Sequence, residues 1–145
     1  MFNLFKELDN GEIIKPITQE KIDSVESKYN IKLPTGYINF LKTQNGGYIN
    51  YNTIPEWEDK ITLDFISGIQ GSEYDTLEKS DYYIKEWNLP QKLLLLSGDG
   101  HWWVCLDYRK MNERGEPKIS YLDSEYKIDT VISDSFKDFI DKLKK

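Results

Sequence analysis

The stretch KLLLLSGDGHWWVCLDYR, residues 92–109, decides the fold. Leu93–Leu96 is a short continuous apolar run, the pattern of a strand covered on both faces. Gly98-Asp99-Gly100 is turn chemistry, two glycines around a residue that hydrogen-bonds its own backbone. His101–Arg109 is then a second strand. Its side chains alternate, so Trp102, Val104, Leu106 and Tyr108 share one face and His101, Trp103, Cys105 and Asp107 the other. The first set is apolar or aromatic and belongs against the core. The second is mixed and faces either helices or partly open surface. Two strands joined by so short a turn run antiparallel.

Downstream of this hairpin the pattern continues. KMNERGEP is a polar connection, KISYLD a third strand, and YKIDTVIS holds a short fourth. The chain then reads as helix, with Ser133 as cap, Asp134 in the first turn, and Phe136, Phe139, Ile140 and Leu143 on one stripe. Upstream, PITQEKIDSVESKYN is helical. Thr18 is the N-cap, Ile17 and Ile22 have the spacing of a hydrophobic staple, and Asn30 ends the helix. LPTGYINFLKTQNGG is a second helix, with Thr35 as cap and Asn45-Gly46-Gly47 supplying its end. YINYNTI and ITLDFISGI read as strands separated by the polar loop PEWEDK. SEYDTLEKSDYYIKEWN is helical, with Tyr74, Leu77, Ile84 and Trp87 facing inward and Pro90 as its stop. The expected fold class is α+β: a single domain, residues 1–145, with a twisted, mostly antiparallel sheet. An N-terminal helix pair, a middle helix and a C-terminal helix pack on it. No internal repeat or linker divides the chain.

The length of 145 residues fits one domain with a real core. No apolar run approaches the roughly 18 residues that span a bilayer. The N-terminal MFNLFKELDNGEIIKP has neither a basic region nor a long apolar region, so no signal peptide is read there. A single Cys excludes an internal disulfide framework, which agrees with a cytoplasmic address. The net charge of −6 argues against nucleic acid as a partner. The excess is local. Residues 56–86 hold nine acidic and three basic side chains, a net of −6, and the other 114 residues hold 16 of each sign. A concentrated acidic face favours a basic partner and speeds encounter with it; a solvated loop and helix face is the plainer reading.

The unusual residues of the opening stretch carry little catalytic promise. His101 and Cys105 share a face but stand four residues apart, roughly 13 Å at strand rise, beyond the reach of a base activating a thiol. One His and one Cys do not make a usual zinc set, and Asp99, His101 and Asp107 match no calcium loop. With 25 acidic residues, a suggestive carboxylate pair always turns up, so such a pair says nothing. There is no G-x-S-x-G, phosphate-binding loop, G-x-G-x-x-G or C-x-x-C. The stretch is first a turn leading into a central aromatic strand, whose mixed face is available for binding.

Taken in order, IKLPTGYINFLKTQNGG, LLLLSGDGHWWVCLDYR, PKISYLDSE and DSFKDFIDKL form a pattern that resembles the SUKH superfamily. Its bacterial members are mostly immunity proteins of polymorphic toxin systems, and it includes yeast regulators of cell-wall synthesis. The resemblance covers roughly residues 15–143. Its most specific part is the Leu-Pro pair, the aromatic helix and the Asn-Gly-Gly end; residues 48–90 match no quotable pattern. It implies a cytoplasmic, non-enzymatic protein, without cofactor or metal, that neutralises a cognate toxin. Many such toxins are nucleases or deaminases, with a basic substrate face.

For that function the expected partner-binding residues are Glu56, Trp57, Glu58, Asp59, Glu73, Asp75, Asp99, Trp103 and Asp107. Trp57, in its polar loop, is either a partner anchor or a lid on the core. Asp107 pairs with Arg109 or a backbone donor, or faces the ligand. Leu33, Pro34 and Asn45–Gly47 are read as fold determinants. The protein is expected to be a monomer or weak dimer with no membrane partner. Two alternatives stand beside this reading: a regulatory interaction scaffold of the same fold, and a hydrolase using carboxylates and a metal.

Overall fold

A computed structural model describes residue 5 and residues 16–50, 53–54, 61–69 and 77–143. Its centre is a four-stranded antiparallel meander of β5 (Leu93–Gly98), β6 (Trp102–Met111), β7 (Pro117–Asp123) and β8 (Ile128–Ser133), in that spatial order. The hairpin reading of residues 92–109 holds in register: Leu93 lies opposite Asp107, Leu95 opposite Cys105, and Gly98 opposite Trp103. A bulge between Leu95 and Ser97 leaves Leu96 without a register partner, and Leu94 and Leu96, two apart on one face, both lie in the larger core.

Among the described residues four α-helices flank the sheet: α1 (Gln19–Tyr29), α2 (Thr35–Thr43), α3 (Ser80–Glu86) and α4 (Phe136–Lys142). Ile22 and Val25 of α1, Tyr37 and Leu41 of α2, and Phe136 and Phe139 of α4 join Val104, Leu106 and Ile119 in one cluster. The opposite face carries a second, smaller cluster, in which Ile84 of α3 meets Leu93, Leu95, Trp103, Cys105 and Leu122. The mixed face of β6 is thus covered by α3 where Trp103 and Cys105 lie. The α+β architecture is as expected from the pattern.

The helix ends follow local chemistry. Thr18 caps α1, its Oγ1 accepting from the Lys21 amide, and Asn30 closes it in the left-handed region at φ 53°. Ile17 and Ile22 are both buried, as a staple requires. Four expectations are corrected. Gln44, in extended backbone, and not Asn45–Gly47, holds the C-cap position of α2. Pro34, not Thr35, holds the N-cap position of α2, without a side-chain cap bond. Ser135 caps α4, accepting from the Asp138 amide, because Ser133 still belongs to β8. The middle helix is short: a 3-10 turn, Leu77–Lys79, leads into α3, which ends at Glu86 ahead of Pro90. Leu77 and Ile84 are buried, whereas Trp87 is 40% exposed; Tyr74 lies outside the described residues.

Two short pairs precede the meander: β1 (Gly47–Tyr48) with β4 (Phe65–Ile66), and β2 (Thr53–Ile54) with β3 (Ile61–Thr62), both antiparallel. The segment that follows β4 is stitched into the interior. The Ser67 amide donates to the Leu96 carbonyl at 2.7 Å, and Tyr37 Oη donates to the Ser67 carbonyl at 2.6 Å. Leu77 N donates to the Gly68 carbonyl. The Asn45 side chain brackets Ile69, Nδ2 donating to its carbonyl at 2.7 Å and Oδ1 accepting from its amide at 2.8 Å. Buried backbone polar groups here find partners, as they must. Gly46, at φ 79°, and Gly68 make the approach possible: a Cβ on Gly68 would stand 2.5 Å from the Asn45 carbonyl oxygen. Among the described residues no helix is long and apolar enough to cross a membrane.

Candidate functional site

The β5–β6 turn is built by Asp99. Its Oδ1 accepts from the His101 amide at 2.9 Å and the Trp102 amide at 3.2 Å, and Gly100 takes φ 98°. Oδ2 has no partner among the described residues, and Asp99 is exposed. The turn is held from the side by Ser124, whose amide and hydroxyl both donate to the His101 carbonyl.

Gly98 sets the neighbouring packing. A Cβ there would stand 2.6 Å from Trp103 Cδ1 and 2.5 Å from the Trp102 carbonyl oxygen. The indole of Trp103 therefore lies directly on the Gly98 backbone, 2% exposed. Rings extend from it in sequence. Tyr83 stands 6.4 Å and Trp87 6.0 Å from Trp103 between centroids, and Trp87 meets the exposed His101 edge-on at 6.1 Å. Tyr82, 62% exposed, continues the row 5.3 Å from Tyr83.

Between this aromatic row and β4 opens a cavity of about 270 Å³. Asp99 and Trp103 both line it, together with Phe65, Ser67, Tyr83 and Ser97. Ser97 is 3% exposed, and its Oγ has no hydrogen-bond partner among the described residues. α3 is held beside this wall by Ser80, whose buried Oγ accepts from the Leu95 amide at 2.8 Å.

Asp107, in the middle of β6, is fully buried and does not join this cavity. Its carboxylate is occupied within the chain, accepting from Arg109 N, Nε and Nη2 at 2.9–3.0 Å and from Ser120 Oγ at 2.6 Å. Arg109 also grips Asp129 of β8 through two bonds of 2.9 Å. These bonds raise the guanidinium pKa, and the same Arg109 hydrogen bonds hold the Asp129 carboxyl below its ordinary range. Cys105 is buried and its thiol pKa is pushed up, first by desolvation and then by Asp107. A thiol so placed is a small apolar core residue, not a nucleophile. Among the described residues no three His, Cys, Asp or Glu side chains converge as a metal site would require.

Of the residues expected from sequence to bind a partner, Asp99 and Trp103 are brought together. Glu56, Trp57, Glu58, Asp59, Glu73 and Asp75 lie outside the described residues. Phe65, Ser67, Tyr83 and Ser97 escaped the sequence reading, because no local pattern shows that β4, α3 and β5 meet at one point. A larger hollow of about 840 Å³ lies between the end of α1 and the start of β5. It is lined by Lys32, Lys92 and Asp81 among others, so it lacks a clear charge preference.

The family model SUKH_6, described as SMI1-KNR4 cell-wall, matches residues 19–140, from the first residue of α1 into α4. The chain belongs to the SUKH_6 family. The resemblance read from the sequence is therefore a true relationship, and the matched residues include the hairpin, the Asn45 bracket and the described lining of the cavity. No curated protein matches the chain.

Proposed function

We propose that this SUKH protein is a non-enzymatic immunity protein that binds and neutralises a cognate toxin bearing a basic surface, such as a nuclease or deaminase. The observation that carries the reading is SUKH membership over residues 19–140 combined with a net charge of −6 confined to residues 56–86. An inhibitor with concentrated negative charge gains encounter rate and orientation on a basic substrate face. The buried thiol of Cys105 and the internally satisfied Asp107 fit a protein whose unusual side chains serve its own core. In this reading the acidic patch at Glu56, Glu58 and Asp59, with Trp57 as anchor, works alongside Glu73, Asp75 and Asp99 from within the cytoplasm, in a monomer or weak dimer.

The test is growth of a bacterium induced to make the polypeptide encoded immediately upstream, with and without this protein. Restored growth supports immunity; a lethal product that this protein does not counter, or a harmless one, removes it. Reversing Glu56, Glu58 and Asp59 to lysine is expected to abolish protection while leaving the unfolding midpoint nearly unchanged. The family's SMI1-KNR4 cell-wall description supports a second reading, a regulatory interaction scaffold. Recovery of a host regulatory protein on the immobilised chain, without toxin protection, favours it.

A further inference from the structure

We infer that the cavity beside the β5–β6 turn is a receptor for one cationic side chain, an arginine of a protein partner. This rests on the reading of the chain as a binder of a basic protein and names the site where that binder takes hold.

Size comes first. About 270 Å³ is enough for one long side chain and below the usual range of drug-sized ligand sites. Charge comes second. Asp99 supplies the one ionised group among the described lining residues, at the exposed turn, with Oδ1 committed to the backbone and Oδ2 without a partner there. No lysine or arginine is among them, and Phe65, Ser67 and Tyr83 all come from the segment that carries the net charge of −6. Aromatic faces come third. Tyr83, half-buried, offers a ring face beside the buried Trp103, and a planar guanidinium stacks on such a face while its fork reaches a carboxylate.

The buried hydroxyl of Ser97 is the independent sign of a ligand. A buried hydroxyl without a partner costs stability, and an alanine in its place would relieve that cost. Lining a cavity, it is an acceptor that a guanidinium N–H can satisfy on docking. The exposed Trp87 and Tyr82, next to Trp103 and Tyr83 of the cavity wall, then offer contact surface for the rest of the partner.

The experiment titrates the full chain with N-acetyl-arginine amide and, in parallel, with its citrulline counterpart, which has the same shape without the charge. The four indole N–H resonances are followed. The expected result is a saturable shift of the Trp103 and Trp87 signals with the arginine compound alone. Asp99→Asn keeps the oxygen that accepts the turn amides, so it is expected to fold normally and bind about three- to tenfold more weakly. Ser97→Ala is expected to raise the unfolding midpoint or leave it unchanged while weakening binding. Equal shifts with citrulline, no shift at all, affinity unchanged in both variants, or tighter binding of free arginine than of the capped compound each overturns the assignment. The same variants separate this inference from the immunity reading. If the wild type protects cells and Asp99→Asn protects equally, the cavity is not the contact although immunity stands. If the wild type does not protect, immunity falls and the titration still decides the cavity.

Discussion

Asn45 shows how much one side chain can settle. Its amide presents an acceptor and a donor to the backbone of Ile69, two ladder bonds made without a strand, at a site 6% exposed. Replacing it by alanine leaves the Ile69 amide and carbonyl buried and unpaired. Asn45→Ala is therefore expected to cost about 2–4 kcal/mol, read from denaturant unfolding. The sequence reading assigned Asn45-Gly46-Gly47 to the end of α2, but the helix closes at Gln44, in extended backbone, and Asn45 and Gly46 form the bend into β1. The partner, 24 residues later, was not legible, because the bond to Ile69 depends on where β4 brings the chain back.

At the scale of the element, β6 divides its two faces as alternation required, but its polar residues found partners that alternation does not name. Asp107, Arg109 and Asp129 form a strap across β6 and β8, passing Ser120 of β7. Removing Arg109 leaves the Asp107 carboxylate buried and uncompensated. Arg109→Leu is expected to cost about 3–5 kcal/mol, and adding Asp107→Leu to recover most of it, in a double-mutant cycle. Asp129 is 39% exposed, so Asp129→Asn costs no more than about 1 kcal/mol. Because its carboxyl pKa is lowered in the fold, Asp129 contributes its stability in full above the ordinary aspartate range. The contribution is lost as pH falls through the depressed value; acid titration of Asp129→Asn is expected to show a shallower loss than the parent. On the same strand, Cys105 is expected to react with a thiol reagent only at the rate of unfolding, checked by labelling across a denaturant series.

At the scale of the whole molecule, the hydroxyls of Tyr37, Tyr108 and Tyr29 pin distant segments together. Tyr37 donates to Ser67, Tyr108 to Lys32, and Tyr29 to the Glu78 carbonyl and Asp81 carboxylate. Desolvation raises all three phenol pKa values, and neighbouring acidic groups raise them further. Tyr29 reaches about 12. A raised phenol pKa means the fold holds the proton more tightly than the unfolded chain does. The stability is therefore complete below the ordinary tyrosine value of about 10 and declines as pH rises toward 12 and beyond. Unfolding midpoints are expected to fall steeply above pH 10, and Tyr29→Phe, which has no proton to lose there, to fall less.

The sequence by itself determined the order of elements, the β5–β6 hairpin, the burial of Val104 and Leu106, the caps at Thr18 and Asn30, and the family, because each of these is written in neighbours or in a short period. Tertiary structure alone decided the caps displaced to Pro34 and Ser135, the exposure of Trp87, the burial of Asp107, and the cavity that joins Asp99 and Trp103 to Tyr83, Ser97 and Phe65. Those outcomes depend on which surfaces meet across the sheet. Desolvation and pairing at such meetings involve residues tens of positions apart, and no local pattern carries them.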